Sequence, residues 1–436
     1  MAAITTRTAA RPRSGALAAL LLTLADPAAA QEAGSDLRRF LHDEANATVH
    51  LRSYYFDRTD PNPPNNVAWA GGGWLGYQTG WLHDAVRFGA VGYTSQPLWA
   101  PQSTDGTNLL KPGQYGYWVL GQLYGSLKLF DQTFTAYRQL IDELEVNSRD
   151  DRMTPNTFEA YALRGAVGPV VYFAGYVARM KPRNQTDFLD MATVAINQYG
   201  RPPATRSSGM LLGSLRYKPI PNLALRASGY FVEDILTSGY GDAQWSTPLA
   251  PDITLGLSGN MMVQGSNGAN ALTGRTFSTW SGGLKATLGW GDFTLLGVYT
   301  QVGDSAPYRE PYGVWLGYTK QQVRDFDHAN ERAFQVGAGY DFKGLGLPGL
   351  TFRTSATMGS GAIDANTRAY LTQNTEFDFD TEYRFDAIDR PDWLKPLSLR
   401  GRAGLVQGNL NGSSTGAREF RVILNYEITF RGDGKR

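Results

Sequence analysis

The sequence predicts an all-β fold, an 18-stranded antiparallel transmembrane β-barrel with inward-folded loops. Three observations carry this. Apolar and polar residues alternate with period two along most of the chain. No stretch holds eighteen consecutive apolar residues, and mean hydropathy is negative, so helices do not span a bilayer here. Connections between the alternating runs tend to be short, then long, then short, as in an up-and-down barrel.

The alternation is plainest in "FRVILNYEITF", residues 420–430. Phe420, Val422, Leu424, Tyr426, Ile428 and Phe430 fall on one face, with Arg421, Asn425, Glu427 and Thr429 on the other. Trp280, Gly282, Leu284, Ala286, Leu288 and Trp290 repeat the form, as do Phe334, Val336, Ala338, Tyr340 and Phe342. Eighteen such runs are expected, at 45–56, 67–79, 85–95, 113–128, 132–140, 158–165, 169–180, 209–218, 222–233, 240–248, 251–263, 275–290, 292–303, 331–343, 349–358, 374–386, 396–408 and 417–430. Short links such as "LFDQ", "KPIPN" and "WGD" separate them on one side. Long links near 57–66, 96–112, 141–157, 181–208, 264–274, 304–330, 359–373 and 409–416 separate them on the other. With no helices to cover so many apolar faces, a sheet closed on itself turns them to lipid and leaves no open edge. Trp69, Tyr77, Trp81, Tyr117, Trp280, Trp290, Tyr299, Tyr426 and Phe430 lie near run ends, where interfacial aromatic belts belong.

The N-terminus adds a destination. Arg7, Arg11 and Arg13 precede an apolar stretch from Gly15 to Ala25, and Ala28 and Ala30 are placed for cleavage before Gln31. Residues 1–30 are therefore expected to be a cleaved signal peptide. Residues 31–436 would form one barrel domain with a short periplasmic segment over 31–44. The absence of cysteine excludes a disulfide scaffold, thiolate metal sites and cysteine catalysis. A net charge of +1 gives no preference for nucleic acid.

The stretch "YRQLIDELEVNSRDDRMTPNTFEAYAL" (137–163) resembles the OprD-type porins of bacterial outer membranes. "LRSYYFDR" (51–58), "VYFAGYVARMKPRNQTDF" (171–188) and "REFRVILNYEITF" (418–430) are similar to them too. The resemblance runs over nearly the whole mature chain, and "RMTPNTFEAY" is its most specific piece. It implies a channel for small carboxylate-bearing solutes, such as amino acids and aromatic or other organic acids. It also implies narrowing by the third and seventh loops, a ladder of basic side chains on the inner wall, insertion by the barrel assembly machinery, and a monomer or loose homotrimer. Barrels of this type usually end on an aromatic residue, whereas here "RGDGKR" follows Phe430.

Strand parity places Arg52, Arg226, Lys285, Arg353, Arg384, Arg400, Arg402 and Arg421 inward. Arg400 and Arg402 share one face, about 7 Å apart. A guanidinium stays charged and offers a fork that matches a carboxylate, so a row of them can hand an anion along. The resemblance carries the family's ladder onto Arg400, Arg402 and Arg421, and onto Arg52 and Arg384. "EFDFDTEYR" sets Glu376, Asp378, Asp380 and Glu382 on one inner face. Their alternate spacing spreads them along a strand rather than around one ion, so no metal site is read there. They are expected to neutralise arginines and to set a field across the pore.

For the constriction, the segment 141–157 offers Arg152 and Asn156, with Pro155 stiffening the turn, and 304–330 offers Tyr308 and Arg309. The four histidines, His42, His50, His83 and His328, make no G-x-S-x-G or H-E-x-x-H signature, so no catalytic residue and no cofactor are expected. Two other readings are a secreted soluble all-β binding or adhesin protein, which membrane fractionation would separate, and an outer-membrane barrel enzyme, which would need a nucleophile at the rim.

Overall fold

The computed structural model describes residues 34–60, 65–200, 206–387, 391–410 and 413–432. The proposed signal peptide and the last four residues lie outside them. Eighteen antiparallel strands close into a barrel. They are β1 (Asn46–Thr59), β2 (Asn66–Gln78), β3 (Val86–Trp99), β4 (Tyr117–Leu129), β5 (Gln132–Gln139), β6 (Thr157–Val167), β7 (Val170–Lys181), β8 (Met210–Ile220) and β9 (Leu223–Val232). Then follow β10 (Leu236–Ala250), β11 (Ile253–Gly265), β12 (Ser278–Trp290), β13 (Phe293–Val302), β14 (Arg332–Asp341), β15 (Leu350–Ser360), β16 (Gln373–Arg384), β17 (Leu397–Leu410) and β18 (Ser413–Arg431). Each strand pairs with the next, and β18 returns to β1 over Asn46↔Arg431 to Thr59↔Arg418. A nineteenth, two-residue strand, Leu189–Asp190, only pairs antiparallel with Arg179 and Met180 at the end of β7.

The outward face is greasy and exposed. Leu51, Leu75, Leu284, Leu295, Phe334, Val336, Phe420 and Val422 all point away from the lumen. This is the arrangement a hydrocarbon solvent demands and water would penalise. Trp290, Phe293, Tyr340 and Phe342 stack in sequence along the short-turn end, with centroids 6.5, 4.4 and 4.8 Å apart. Trp69, Trp99, Trp118 and Trp280 are exposed near the opposite end. Tyr117 departs from the expectation. It is buried on the inner face, and its hydroxyl bonds Thr154 Oγ1 at 2.9 Å and the Arg183 carbonyl at 2.8 Å.

The short-turn end carries tight links such as 130–131, 168–169, 221–222, 251–252 and 291–292. The segment before β1 sits there. Gly80 donates its N–H to the Phe40 carbonyl at 2.8 Å, and Phe40 meets Phe88 edge-on at 6.4 Å. Long loops crowd the other end, with two exceptions: only 233–235 separate β9 from β10, and the long link expected near 409–416 is instead taken up by β17 and β18, which run to Leu410 and from Ser413.

The buried core lies inside the barrel, which is unusual only until the loops are considered. Ile141 and Val146 from one loop, Tyr312 from another and the helix α1 (Met191–Tyr199) pack against Phe158, Met180, Tyr230 and Leu236 of the wall. The sequence reading expected only a loop over 181–208. Asp190 caps α1 by accepting from Thr193 N at 3.0 Å, and Met191, Ala192, Val194 and Ala195 form its buried face. Nine residues are too few for periodicity to stand out.

Candidate functional site

Two loops fold into the lumen and fasten to opposite walls. The first, residues 140–156, links β5 to β6. Glu143 and Glu145 lie two residues apart and grip one wall. Glu143 accepts from Ser214 Oγ at 2.6 Å and Arg216 at 2.7 Å, and Glu145 from Tyr308 Oη at 2.5 Å and from Ser238. Asp150, five residues on, accepts from Arg52 of β1 at 2.7 Å. Ser238 belongs to β10 and Arg52 to β1, nine strands apart in either direction around the eighteen, so this loop crosses the lumen. Asp151 sits among Arg183, Arg152 and Arg149. Burial works to raise its pKa, but the three guanidiniums outweigh that and hold it well below the usual carboxylate range. Burial pushes Glu145 the other way, and the hydroxyls of Ser238, Tyr308 and Ser228 offset only part of the rise.

The second loop, 303–331, lies against the first. Asn147 donates its N–H to the Tyr312 carbonyl at 3.2 Å, and Arg149 donates to the Gly313 carbonyl at 3.0 Å. Its far limb is clamped to β16. Val323 and Arg324 donate backbone N–H groups to the Glu376 carboxylate at 2.7 and 2.8 Å, and Gln322 donates to Asp378 at 2.9 Å.

Below these loops the lumen keeps cavities of mixed lining, two of which bear on the site. One, of about 540 Å³, is bordered by Arg353, Arg402, Asp380, Gln335 and Thr351. Arg400 Nε donates to Asp380 Oδ1 at 2.8 Å. Arg402 Nε lies 3.0 Å from Asp380 Oδ2 but is not aligned for a hydrogen bond. Arg353 stands across from Asp380 in register and makes no hydrogen bond or ion pair among the described residues. The other cavity, of about 620 Å³, is bordered by Trp74, Tyr93, Tyr124, Gln122 and Asp150. At its edge His50 stacks on Trp74 at 3.7 Å and bonds Glu427 at 2.6 Å. Gly73 makes that stack possible. At its φ of 134°, an added Cβ would meet the His50 carbonyl at 1.9 Å.

All eight basic residues expected on the inner wall have inward parity, but they divide. Arg353, Arg400 and Arg402 cluster beside the free lumen, whereas the Arg52 side chain is buried against Asp150, Asn425 and the Arg152 carbonyl. Arg421 is buried between Glu419, the Gln322 carbonyl and the Phe56 ring, so it braces a loop. Arg226 is held by Asp242, Lys285 lies over Tyr318 at 4.6 Å, and Arg384 turns to Asp386 at the short-turn rim. The acidic row divides as well. Glu376 and Asp378 are buried beneath the loop rather than facing the pore, Asp380 pairs with arginines, and Glu382 stands across from Arg400.

Of the four residues expected to shape the constriction, Arg152, Asn156 and Tyr308 are buried within the packed loops and Arg309 is half-buried. Arg152 is buried, with Nε on the Thr107 carbonyl at 2.8 Å, and Asn156 is buried with its N–H on the Ser148 carbonyl at 2.7 Å. Tyr308 is the buried tie to Glu145, and Arg309 lies over Phe277 at 4.5 Å. The residues that hold the loops in place, Glu143, Asp150, Asp151 and Arg183, were not singled out as site residues. Their partners lie 32 to 98 residues away in sequence, and period-two patterning carries no signal for such contacts.

Comparison with known proteins agrees with this geometry. A family model described as "outer membrane porin, OprD family" matches residues 38–430. The chain belongs to the OprD family. Porin D of Pseudomonas aeruginosa is 22% identical over 442 residues, covering 91% of this chain and 93% of that protein. The porin-like protein GalP of Pseudomonas putida is 24% identical, covering 89% and 92%. Among solved OprD-type structures, Pseudomonas aeruginosa OccK9 aligns with a TM-score of 0.78 at 23% identity, covering 88% of this chain and 98% of that one. Pseudomonas aeruginosa OpdK, solved with vanillate, aligns at 0.74 and 21% identity with the same coverage. Membership of the OprD family makes this a porin of the bacterial outer membrane, and its relatives are channels rather than enzymes.

Proposed function

We propose that this porin passes small carboxylate-bearing solutes selectively, down their concentration gradient. The observation that carries the reading is the cluster around Asp380. Two arginines, 400 and 402, engage that single carboxylate, and a third, Arg353, faces it without a partner of its own among the described residues. Such a cluster keeps donors in hand for a second carboxylate, supplied by the solute. Arg52, on the other side of the β1–β18 seam, is spent on Asp150 and holds the loop rather than the solute. A guanidinium fork suits a planar carboxylate, and nearby acids keep the binding weak enough for release. OpdK, a structural neighbour, holds vanillate, which carries a carboxylate of this kind.

The test is swelling of liposomes containing the purified chain, in a panel of carboxylates and their size-matched neutral amides. The reading expects the carboxylates to enter several-fold faster. Equal rates for acid and amide would refute selectivity and leave only an unselective pore.

A further inference from the structure

The inward loop 303–331 contains a group of acids that the channel reading does not use. Oxygens of Glu310, Asp325 and Asp327 lie within 4.8 Å of one another. Like charges that close repel strongly unless a cation or protons intervene. Glu310 is only 9% exposed, and its Oε2 is fully buried with no hydrogen-bond partner among the described residues. A buried carboxylate oxygen left bare is costly, so it calls for a partner. The loop is also bent to make this group. Phe326, buried between the two aspartates, has φ of 60°, a left-handed conformation that a bulky residue avoids.

The surrounding charges offset the cluster only in part. Lys320 pairs with Asp325, and His328 bonds Glu331 at 3.1 Å and lies 3.9 Å from Asp327. Tyr199 approaches only to accept the Glu310 N–H at 3.3 Å, and Arg149 is committed to Gly313 and Asp151. Burial together with Asp327 and Asp325 raises the pKa of Glu310, and burial with Asp325 raises that of Asp327. The bare Glu310 oxygen and the close spacing of the three carboxylates call for a proton or a cation between them.

We propose that Glu310, Asp325 and Asp327 bind one calcium ion, which locks the inward loop. The donor set is all oxygen, which suits a hard cation. It sits on an irregular loop that tolerates calcium's variable coordination better than magnesium's strict octahedron. The loop belongs to the long-loop end of the barrel. A weak extracellular-type site there would fill at millimolar calcium and remain empty in a chelating medium. The site is separate from the arginine cluster and stands or falls independently of the solute the channel carries.

The experiment is calorimetric titration of calcium chloride into the purified full-length chain in detergent, after treatment with chelator. One ion per chain is expected, with a Kd on the order of 10⁻⁴ to 10⁻³ M. Glu310→Gln and Asp327→Asn should each weaken binding at least tenfold, while heat-modifiable migration on gels shows that the barrel is still folded. Lys320→Gln removes the competing ammonium and should tighten binding several-fold, a gain that misfolding could not produce. Absence of saturable binding up to about 10 mM calcium, or an unchanged titration in both carboxylate variants, would overturn the proposal and assign the cluster to protons instead.

Discussion

Val323 donates its backbone N–H to Glu376 Oε1 at 2.7 Å, so a carboxylate of the wall holds the tip of an inward loop. With the Arg324 and Gln322 amides it completes a three-bond clamp. Each bond is worth roughly 0.5–1.5 kcal/mol. The double variant Glu376→Gln, Asp378→Asn is therefore expected to release the limb near 322–324. Planar-bilayer recordings should show higher and noisier single-channel conductance. A quiet channel of unaltered conductance would mean that the clamp is redundant.

Removing the positive cluster should act on charge and spare size. With Arg400→Gln and Arg402→Gln together, each lost charge is worth about 1 kcal/mol in this wet site. Influx of small carboxylates should fall roughly thirtyfold, while a neutral amide of equal size passes as before. Uptake assays on proteoliposomes give the comparison directly. A parallel fall for both solutes would point to a collapsed pore instead.

Asp380→Asn should do the reverse. It removes the one carboxylate that Arg400 and Arg402 share. The reversal potential in a potassium chloride gradient should move toward chloride, and half-saturating concentrations for carboxylates should fall several-fold. A shift toward potassium would contradict the assigned polarity.

Asp151 gives the loop its acid tolerance. Its pKa is lowered in the fold, so its contribution is present above the ordinary carboxylate value and lost only as pH falls through the depressed one. The loop should stay ordered from pH 7 down to about pH 4 in the native chain. Asp151→Asn leaves Arg152 buried without its carboxylate, at a cost of about 2 kcal/mol after discounting the third of Asp151 that is exposed. Proteolysis within 140–156 at neutral pH should be slow in the native chain and fast in the variant.

Much of this architecture was legible in the sequence because lipid enforces it. Side chains on a membrane strand must alternate, so period two marks every one of the eighteen strands, and even the short β5 appears at its expected place. The same rule explains the failures. Parity tells that Glu376 and Asp378 point inward, but not that Gln322, Val323 and Arg324 will arrive to cover them. Parity also makes Arg421 look like a ladder rung, whereas Phe56 and Glu419 enclose it. Inside the barrel, function is decided by which loop meets which wall, and that is a matter of tertiary contact. Arg152 and Asn156 were sought in the correct loop, yet they stiffen it from within while Asp150 reaches Arg52.

The seam between β1 and β18 has a consequence for biogenesis. Arg52 bonds Asn425 at 2.7 Å, His50 bonds Glu427 at 2.6 Å, and Arg58 pairs with Glu419, each contact joining the first strand to the last. The first strand must wait for the last before these side chains are satisfied. A copy lacking either strand would be an open ribbon with Arg52, His50 and Arg58 unpartnered across the gap, so sealing the wall and setting these inner side chains are a single event.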